Sequence, residues 1–194
     1  RNLAPLPATI DHVHGAALVM PGLTAWQALF DHAGLQPGQT VLVHGAAGAV
    51  GGLAVQLARD AGARVIGTGR ERDRAAVLAA GAERFAALDT ERFEDIAGQV
   101  DAVLDVIGGK VLGRSAAVVR PGGTLVSVVS PPRVQPPGVR AMFFVVEPSR
   151  DQLAELARLA HQGRITPAVG AIRPLAETRD AFLHKQGKTI IGVA

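Results

Sequence analysis

The chain has 194 residues, of which 48% are hydrophobic and 4% aromatic, and its formal net charge is +3. This length suffices for one domain with flanking segments; the apolar runs are too short to span a membrane, and the scarce aromatic residues and scattered arginines argue against nucleic-acid binding. No cysteine is present, which excludes disulfides, thiolate catalysis and cysteine-ligated zinc within these residues and favours a cytoplasmic protein.

The first predicted elements are an extended segment over residues 1–9 and two helices. The first helix spans Asp11–Met20, and Pro21-Gly22 is expected to end it because proline cannot donate a hydrogen bond within a helix. The second helix spans Thr24–His32. Two histidines in the first helix are spaced like a metal-binding pair, but nothing nearby supplies the remaining ligands, so no metal site is predicted.

Residues 40–68 predict a strand, a glycine-rich turn, a helix and a second strand. The apolar run of residues 40–44 is long enough for a buried parallel strand, and residues 64–68 form a second such run. Between them, the turn over residues 45–51 precedes apolar positions at helical spacing, and Gly62 ends that helix. This order is a βαβ unit of about thirty residues, the size typical of a nucleotide-binding unit.

The glycine-rich turn has the residue types that a dinucleotide requires. A phosphate binds at a helix N-terminus, where unpaired N–H groups and the positive end of the dipole meet it. Gly48 lets the backbone approach a pyrophosphate, and Gly51 lets the helix pack close to the strand. Ala46 replaces the first glycine of the usual motif, so an ordinary tight turn is the alternative, which the complete βαβ unit disfavours. The pyrophosphate is predicted to lie on the backbone of Ala47, Gly48, Ala49 and Val50.

The residues after the second strand predict NADP(H) as the coenzyme. NAD sites usually place a carboxylate there for the ribose hydroxyls, whereas this chain has Gly69 and Arg70, with Arg72 close behind. A glycine leaves room for a 2′-phosphate, and guanidinium groups bind it in a bidentate manner. The alternative is that Arg70, Arg72 and Arg74 are solvated charges at a helix start, where cations oppose the helix dipole.

The remaining chain continues the alternation of strands and helices. Further strands are predicted at residues 84–86, 100–107, 124–129, 140–146 and 188–193. Further helices are predicted at residues 73–80, 90–97 with a cap at Asp89 or Thr90, 111–119, 149–163 with a capping box at Ser149–Gln152, and 174–183. A proline-rich loop occupies residues 131–137. This pattern predicts the α/β class, with a doubly wound parallel sheet of the Rossmann type.

Five segments together resemble the zinc-free quinone oxidoreductase branch of the medium-chain dehydrogenase/reductase superfamily. They are Gly22–Trp26, Val41–Gly51, Leu104–Gly109, Phe143–Val145 and Gly187-Lys188. The resemblance implies an NADP-binding domain at residues 40–146, a connector from the catalytic-domain side at residues 1–39, and a segment returning to that domain at residues 147–194. Most of the catalytic domain would then precede Arg1, and the connection before Gly187 is shorter than the family usually has.

The resemblance implies hydride transfer from NADPH to a quinone or an α,β-unsaturated carbonyl. Zinc-dependent relatives have a cysteine ligand where Met20 stands here, so catalysis without zinc is expected. His44 is interpreted as structural, and no side chain is assigned as a general acid. An edge strand at Phe143–Val145 is expected to pair with a second copy to form a homodimer.

Further cofactor contacts are expected at the carboxyl edge of the sheet and in the flanks. Ile107 and Gly108 would flank the adenosine, Val129 and Ser130 would follow the fifth strand where ligands collect, and Phe143, Phe144 and Val145 would hold the nicotinamide amide. Thr24 would line the nicotinamide side, and Lys188 would reach the pyrophosphate. The structural alternatives are sheet packing for Ile107 and Gly108, an apolar edge for Phe143–Val145, helix capping for Thr24 and a solvated strand start for Lys188.

Three other functions can be compared with this one, and the sequence excludes one of them and disfavours another. A non-catalytic NADPH-binding or scaffold module would share the cofactor site but lack a substrate domain. A short-chain reductase is excluded because it needs a tyrosine as its acid, and the chain has none. A methyltransferase also uses a glycine turn, but it normally has a carboxylate at the end of the second strand, where Gly69-Arg70 stands here.

Overall fold

A computed structural model describes residues 3–133, 135–183 and 187–193 of the chain. Six strands form its main sheet: β1 (Thr40–Val43), β2 (Arg64–Gly69), β3 (Arg84–Ala87), β4 (Val100–Asp105), β5 (Val119–Ser127) and β6 (Arg140–Phe143). The spatial order is β3-β2-β1-β4-β5-β6, and every neighbouring pair is parallel. The predicted doubly wound parallel sheet is therefore confirmed, and the strand order changes direction between β1 and β4, where ligands bind in such folds.

Helices cover both faces of this sheet. They are α1 (His12–Trp26), α2 (Ala49–Asp60), α3 (Arg74–Ala79), α4 (Phe93–Ala97), α5 (Gly109–Ser115) and α6 (Arg150–His161). On one face, α1, α2, α3 and α6 share a buried apolar core with the strands, and on the other face α4 and α5 do so. A further helix, α7 (Thr178–Leu183), has no buried residue and belongs to neither core. Within β1, Val41 and Val43 belong to the first core and Leu42 to the second, because side chains alternate along a strand.

The prediction that Pro21-Gly22 separates two helices is wrong. Helix α1 runs through Pro21 to Trp26 and continues as a π-helical turn over Gln27–His32. Proline removes one hydrogen bond from a helix, but α1 is buried here against α6. A Cβ atom at Gly22 would lie 3.0 Å from Leu156 Cδ1, so the glycine permits close packing of the two helices instead of ending the first.

Several predicted boundaries also need correction. The helix predicted over residues 174–183 begins only at Thr178 (α7), and Pro174 instead ends a strand that was not predicted, β7 (Ala171–Pro174), which pairs in parallel with β8 (Thr189–Gly192). Helix α4 begins at Phe93 without a side-chain cap, because Asp89 accepts from the backbone N–H of Glu71 at 3.1 Å instead. Helix α5 begins earlier than predicted, and β4 and β6 end earlier.

Strand β5 begins at Val119, before its predicted start at residue 124, and the turn-like stretch Pro121-Gly122-Gly123 lies inside its irregular start. The register of β5 against β4 shifts between Val100 and Ala102, so the strand bulges at this turn. The short connection predicted before Gly187 falls on residues 184–186, outside the described residues, as do the first two residues of the entry segment and one residue of the proline-rich loop.

Candidate functional site

The turn between β1 and α2 brings backbone to the carboxyl edge of the sheet without large side chains. Gly45 has φ +69°, and no side chain caps α2, whose N-cap residue is Gly48. A Cβ atom at Gly51 would lie 2.1 Å from the carbonyl oxygen of Gly45, so only glycine allows α2 to begin so close to the turn. The N–H of Ala46 donates to the carbonyl of Thr68 at 2.8 Å and ties the turn to β2.

The loops after β4 and β5 lie beside this turn. A Cβ atom at Gly45 would lie 3.3 Å from Ile107 Cγ1, and one at Gly108 would lie 2.9 Å from Val129 Cγ1. The structure therefore brings the glycine turn, Ile107-Gly108 and Val129-Ser130 together along one edge, at the position where a dinucleotide crosses an open parallel sheet.

A buried carboxylate that the sequence analysis missed shapes both of these loops. Asp105 accepts hydrogen bonds from the N–H groups of Ile107 at 3.2 Å and Gly108 at 3.0 Å, and from the hydroxyl of Ser127 at 2.9 Å. Ser127 Oγ in turn accepts from the N–H of Val129 at 3.2 Å. Because buried polar groups are nearly always paired, the aspartate inside the apolar run of β4 was a signal for such a network.

His44 is enclosed and neutral, as its structural interpretation requires. The Ser115 hydroxyl donates to the carbonyl of Val111 at 2.7 Å, so Ser115 Oγ accepts from His44 Nε2 at 3.0 Å. His44 Nδ1 then accepts from the Thr68 hydroxyl at 2.9 Å. Burial, with a smaller effect of the nearby Arg114 charge, lowers the pKa of His44 to about 3. The imidazole thus links β1, β2 and α5 and offers no proton to a ligand.

The arginines after β2 have different surroundings. Arg74 binds Glu71 at 2.7 Å and Glu91 at 2.9 Å and lies over the ring of Phe85; its hydrogen bond lowers the pKa of Glu71. Arg74 is therefore a structural ion-pair residue. Arg70 and Arg72 are exposed, and the closest approach of Arg72 to a carboxylate in the described chain is 3.8 Å.

The structure also places a carboxylate at the end of β2, which the sequence analysis overlooked. Asp73 accepts from the N–H of Arg70 at 3.1 Å, and its Oδ2 atom would lie 3.3 Å from a Cβ atom at Gly69. The spacing of three residues between Arg70 and Asp73 is that of a helix-start hydrogen bond, which was the available signal. The Asp73 carboxylate is therefore bonded to a backbone N–H, and it lies at the same end of β2 as Arg70 and Arg72.

Strand β6 and the segment after it line the other end of the edge. Phe143 is 37% exposed and Val145 is 72% exposed, whereas Phe144 is buried with its ring centroid 4.3 Å from that of His32. Thr24 lies inside α1 and its hydroxyl donates to the carbonyl of Met20 at 2.8 Å. The helix-capping alternative for Thr24 is therefore wrong, because no helix begins there.

One part of the C-terminal segment, around Ala168, lies close to the glycine turn and to the start of α2. Ala168 lines a cavity of about 140 Å³ together with Ala47, Gly48 and Ala49. The N–H of Gly170 donates to the carbonyl of Lys188 at 2.8 Å, so Lys188 is connected through one backbone hydrogen bond to the segment at the turn.

The residues present do not fit a zinc site. Within residues 3–133, 135–183 and 187–193, no group of three or more histidine, cysteine, aspartate or glutamate side chains could hold a metal ion. Met20, which the resemblance aligns with the cysteine ligand of zinc-dependent relatives, is an exposed apolar side chain.

Among the described residues, none of the helices combines the length and the hydropathy that a membrane span requires.

Comparisons with known proteins relate this arrangement to one family. The chain matches the sequence profile of a zinc-binding dehydrogenase family over residues 80–192. It is 33% identical over 211 residues to a probable zinc-binding oxidoreductase, mitochondrial, from Arthroderma benhamiae, with 98% of this chain and 64% of the relative covered. It is 31% identical over 206 residues to the quinone oxidoreductase of Rattus norvegicus, with 95% and 63% covered.

One solved structure is also similar to this chain in both fold and sequence. The quinone oxidoreductase from Coxiella burnetii is similar with a TM-score of 0.87 and 30% sequence identity, and the match covers 100% of this chain and 63% of that one. The chain therefore spans slightly under two thirds of the length of these relatives.

Proposed function

This chain belongs to the zinc-binding dehydrogenase family of the medium-chain dehydrogenase/reductase superfamily, and we propose that it binds NADPH for zinc-independent hydride transfer to a quinone or an α,β-unsaturated carbonyl. The family uses a nicotinamide cofactor. The observation that carries the proposal is the uncapped start of α2 beside a turn whose side chains, from Gly45 to Ala49, are no larger than a methyl group.

This turn fits a pyrophosphate. The first N–H groups of α2 and the positive end of its dipole would meet the two phosphates at Ala47, Gly48, Ala49 and Val50. Ile107 and Gly108 would flank the adenosine, and Lys188 would reach the pyrophosphate from the C-terminal segment. Gly69 places no side chain beside Arg70 and Arg72, whose exposed guanidinium groups would bind the 2′-phosphate.

The role of this chain in hydride transfer is orientation. When bound, NADPH supplies a hydride from C4 of its nicotinamide ring. Val129 and Ser130, the backbone of Phe143, Phe144 and Val145, and the α1 residue Thr24 would hold that ring in one position. Close and dry approach of the two reactants accounts for much of the rate enhancement available to such an enzyme. No side chain described here is assigned as a general acid.

The acceptor is proposed from chemistry and from the relatives. The rat and Coxiella burnetii relatives are named as quinone oxidoreductases, and both quinones and enones accept hydride at a carbon conjugated to a carbonyl. Because no group of side chains within the described residues could hold a metal ion, carbonyl polarisation by a metal that these residues bind is not part of the proposal. The proposal also assigns residues 40–146 to the cofactor domain and places the protein in the cytoplasm.

Titration of the purified chain with NADPH and NADH, followed by coenzyme fluorescence, tests the proposal. The expected result is a preference for NADPH of roughly tenfold or more, since a charged hydrogen bond to the 2′-phosphate is involved. Equal affinities would contradict the choice of NADPH, and no binding would contradict the whole proposal. Absorbance at 340 nm in the presence of quinones and enones then measures turnover. Turnover by the chain would contradict the non-catalytic module.

A further inference from the structure

Two helical glutamines bind distant backbone segments in the same way. Gln27 Nε2 donates to the carbonyl of Glu147 at 2.7 Å, and Gln27 Oε1 accepts from the N–H of Glu147 at 3.0 Å. Gln56 Nε2 donates to the carbonyl of Thr166 at 3.1 Å, and Gln56 Oε1 accepts from the N–H of Thr166 at 2.8 Å. A primary amide offers one donor and one acceptor side by side, so each glutamine pairs with its segment as a neighbouring strand would.

The amide of Gln27 is fixed in one orientation. Only 6% of Gln27 is exposed, and its Nε2 atom donates a second hydrogen bond to Gln152 Oε1 at 2.8 Å. Gln152 Nε2 donates onward to Asp31 Oδ2 at 2.7 Å. The predicted capping box is thus only half formed: the Ser149 hydroxyl accepts from the N–H of Gln152, but the Gln152 side chain is bound to Gln27 and Asp31.

Gln27 is also the first residue of the π-helical turn over Gln27–His32. The last residue of this turn, His32, contacts Arg140 at the start of β6 and Phe144 directly after its end. The carbonyl of His32 accepts from the guanidinium of Arg140, and the His32 ring packs on Phe144. π-Helical turns are rare and are frequent at functional sites. The turn and the Gln27 amide therefore fix the backbone on either side of the exposed Phe143 and Val145.

Gln56 acts on a different part of the edge. It lies on α2, and the Thr166 backbone that it holds leads within two residues to Ala168. Ala168 borders the same cavity as Ala47, Gly48 and Ala49. The Gln56 amide therefore sets the distance between the C-terminal segment and the turn where the pyrophosphate is proposed to lie.

We propose that Gln27 and Gln56 are positioning residues that hold two separate backbone segments against the dinucleotide cleft. Gln27 fixes residues 144–147 for the nicotinamide end, and Gln56 fixes residues 166–168 over the pyrophosphate turn. This assignment rests on the proposed function, because it names the parts of the coenzyme that each segment meets. Both glutamines act through the backbone segments that their amides hold, and Gln56 also borders the cavity beside the turn.

Substitution by methionine keeps the side-chain length and removes the two hydrogen bonds to the held segment, together with the third bond of each amide, to Gln152 from Gln27 and to the carbonyl of Gly52 from Gln56. The two variants Gln27→Met and Gln56→Met are matched controls for each other. Calorimetric titration with NADPH and with 2′-phospho-ADP-ribose, which lacks nicotinamide, separates the two ends. We expect Gln27→Met to weaken NADPH binding about tenfold and to leave the nicotinamide-free ligand within about twofold, since each lost bond contributes modestly. We expect Gln56→Met to weaken both ligands by the same factor.

Hydrogen exchange without coenzyme provides a readout that does not depend on the proposed function. Gln27→Met should speed exchange of the Glu147 amide and leave Thr166 unchanged, and Gln56→Met should do the reverse. If Gln27→Met fails to fold, Gln27→Asn keeps a neutral amide that is one methylene too short to reach Glu147, and it should give an effect of the same kind.

The outcomes are distinct. Equal weakening of both ligands by Gln27→Met, or unchanged exchange at Glu147, would overturn the assignment. Failure of the unsubstituted chain to bind either ligand would overturn the proposed function and with it the coenzyme roles, while the exchange data would still decide whether the two glutamines hold their segments.

Discussion

At the scale of single residues, coenzyme choice depends on Arg70 and Arg72. Both side chains are exposed beside Gly69, whereas Arg74 is held by Glu71 and Glu91. The double variant Arg70→Ala/Arg72→Ala should therefore lose affinity for NADPH by about 1.5–3 kcal/mol, the range for a hydrogen bond to a charged group. Its affinity for NADH should stay unchanged, because NADH has no 2′-phosphate. Titration of both coenzymes measures the difference.

The double variant Arg150→Ala/Arg179→Ala removes the same two charges at exposed positions in α6 and α7, so it is the control for the change in net charge. Arg150 is an exposed arginine at the start of α6, distant in sequence from the end of β2. A similar loss of NADPH affinity in this variant would show that overall charge, and not a specific contact, determines the preference. A loss of NADH affinity in the Arg70→Ala/Arg72→Ala variant would point to Asp73, whose hydrogen bond to the Arg70 backbone would then have been disturbed.

His44 makes stability depend on pH. Its pKa is lowered from 6.5 to about 3 in the folded chain, so the unfolded chain takes up a proton first as the pH falls. The stability that the neutral, buried imidazole contributes is complete above the pKa of His44 in the unfolded chain. It is lost as the pH falls towards the pKa of His44 in the folded chain. Between pH 7 and pH 5 the free energy of unfolding should drop by about 2 kcal/mol from this group.

Urea unfolding at pH 7 and pH 5 measures this drop, and His44→Gln is the comparison variant. The variant should be less stable at pH 7 because the contacts to Thr68 and Ser115 are disturbed, but it should lack the histidine part of the pH dependence. Carboxylates with lowered pKa values, such as Glu71 and Glu94, titrate below this window. The same drop in the variant would show that His44 is not its source.

At the scale of elements, local patterns predicted what local forces determine. The glycine turn and the apolar strands were predictable because residue size and hydrophobic periodicity set them. The continuity of α1 through Pro21 was not, because the packing of Gly22 on Leu156 that offsets the proline comes from α6. Strand β7 was not predictable either, since its hydrogen bonds come from β8. The glutamine networks and the bond between Ser127 and Asp105 likewise join residues that only the fold brings together.

Neighbouring glycines in α2 test the packing at the turn. A Cβ atom at Gly51 would lie 2.1 Å from the Gly45 carbonyl oxygen, whereas one at Gly52 would lie 3.5 Å from that of Ala46, an ordinary contact. Gly51→Ala should push α2 away from the turn, destabilise the chain by about 1–3 kcal/mol and weaken NADPH binding. Gly52→Ala should stabilise it by about 0.5–1 kcal/mol, because alanine is the better helix former.

Thermal unfolding and NADPH titration of both variants measure these effects. The pair is matched because the substitution, the helix and the added methyl group are the same. If Gly51→Ala were as stable as Gly52→Ala and bound NADPH normally, the close approach of α2 to the turn would have no role in the site.

At the scale of the whole molecule, the sheet has one edge at β6, and we propose that a second copy pairs there. Val145 follows β6 and is 72% exposed, and Phe143 is exposed beside it. An exposed apolar edge strand favours pairing with another strand, and a two-fold arrangement would place this edge against itself. Sedimentation equilibrium should therefore give twice the 20.0 kDa mass of the chain.

A lysine on this edge should abolish the pairing, because edge lysines oppose strand addition. Val145→Lys should sediment as a monomer. Val193→Lys is the matched control, since Val193 is 74% exposed and follows β8, a strand of the separate two-stranded sheet. Dimers in both variants would contradict the edge as the interface. Monomers in both would indicate that the surface around Val193 contributes to the interface. Because Val145 is also proposed to hold the nicotinamide, a monomeric Val145→Lys that still binds 2′-phospho-ADP-ribose would separate assembly from cofactor binding.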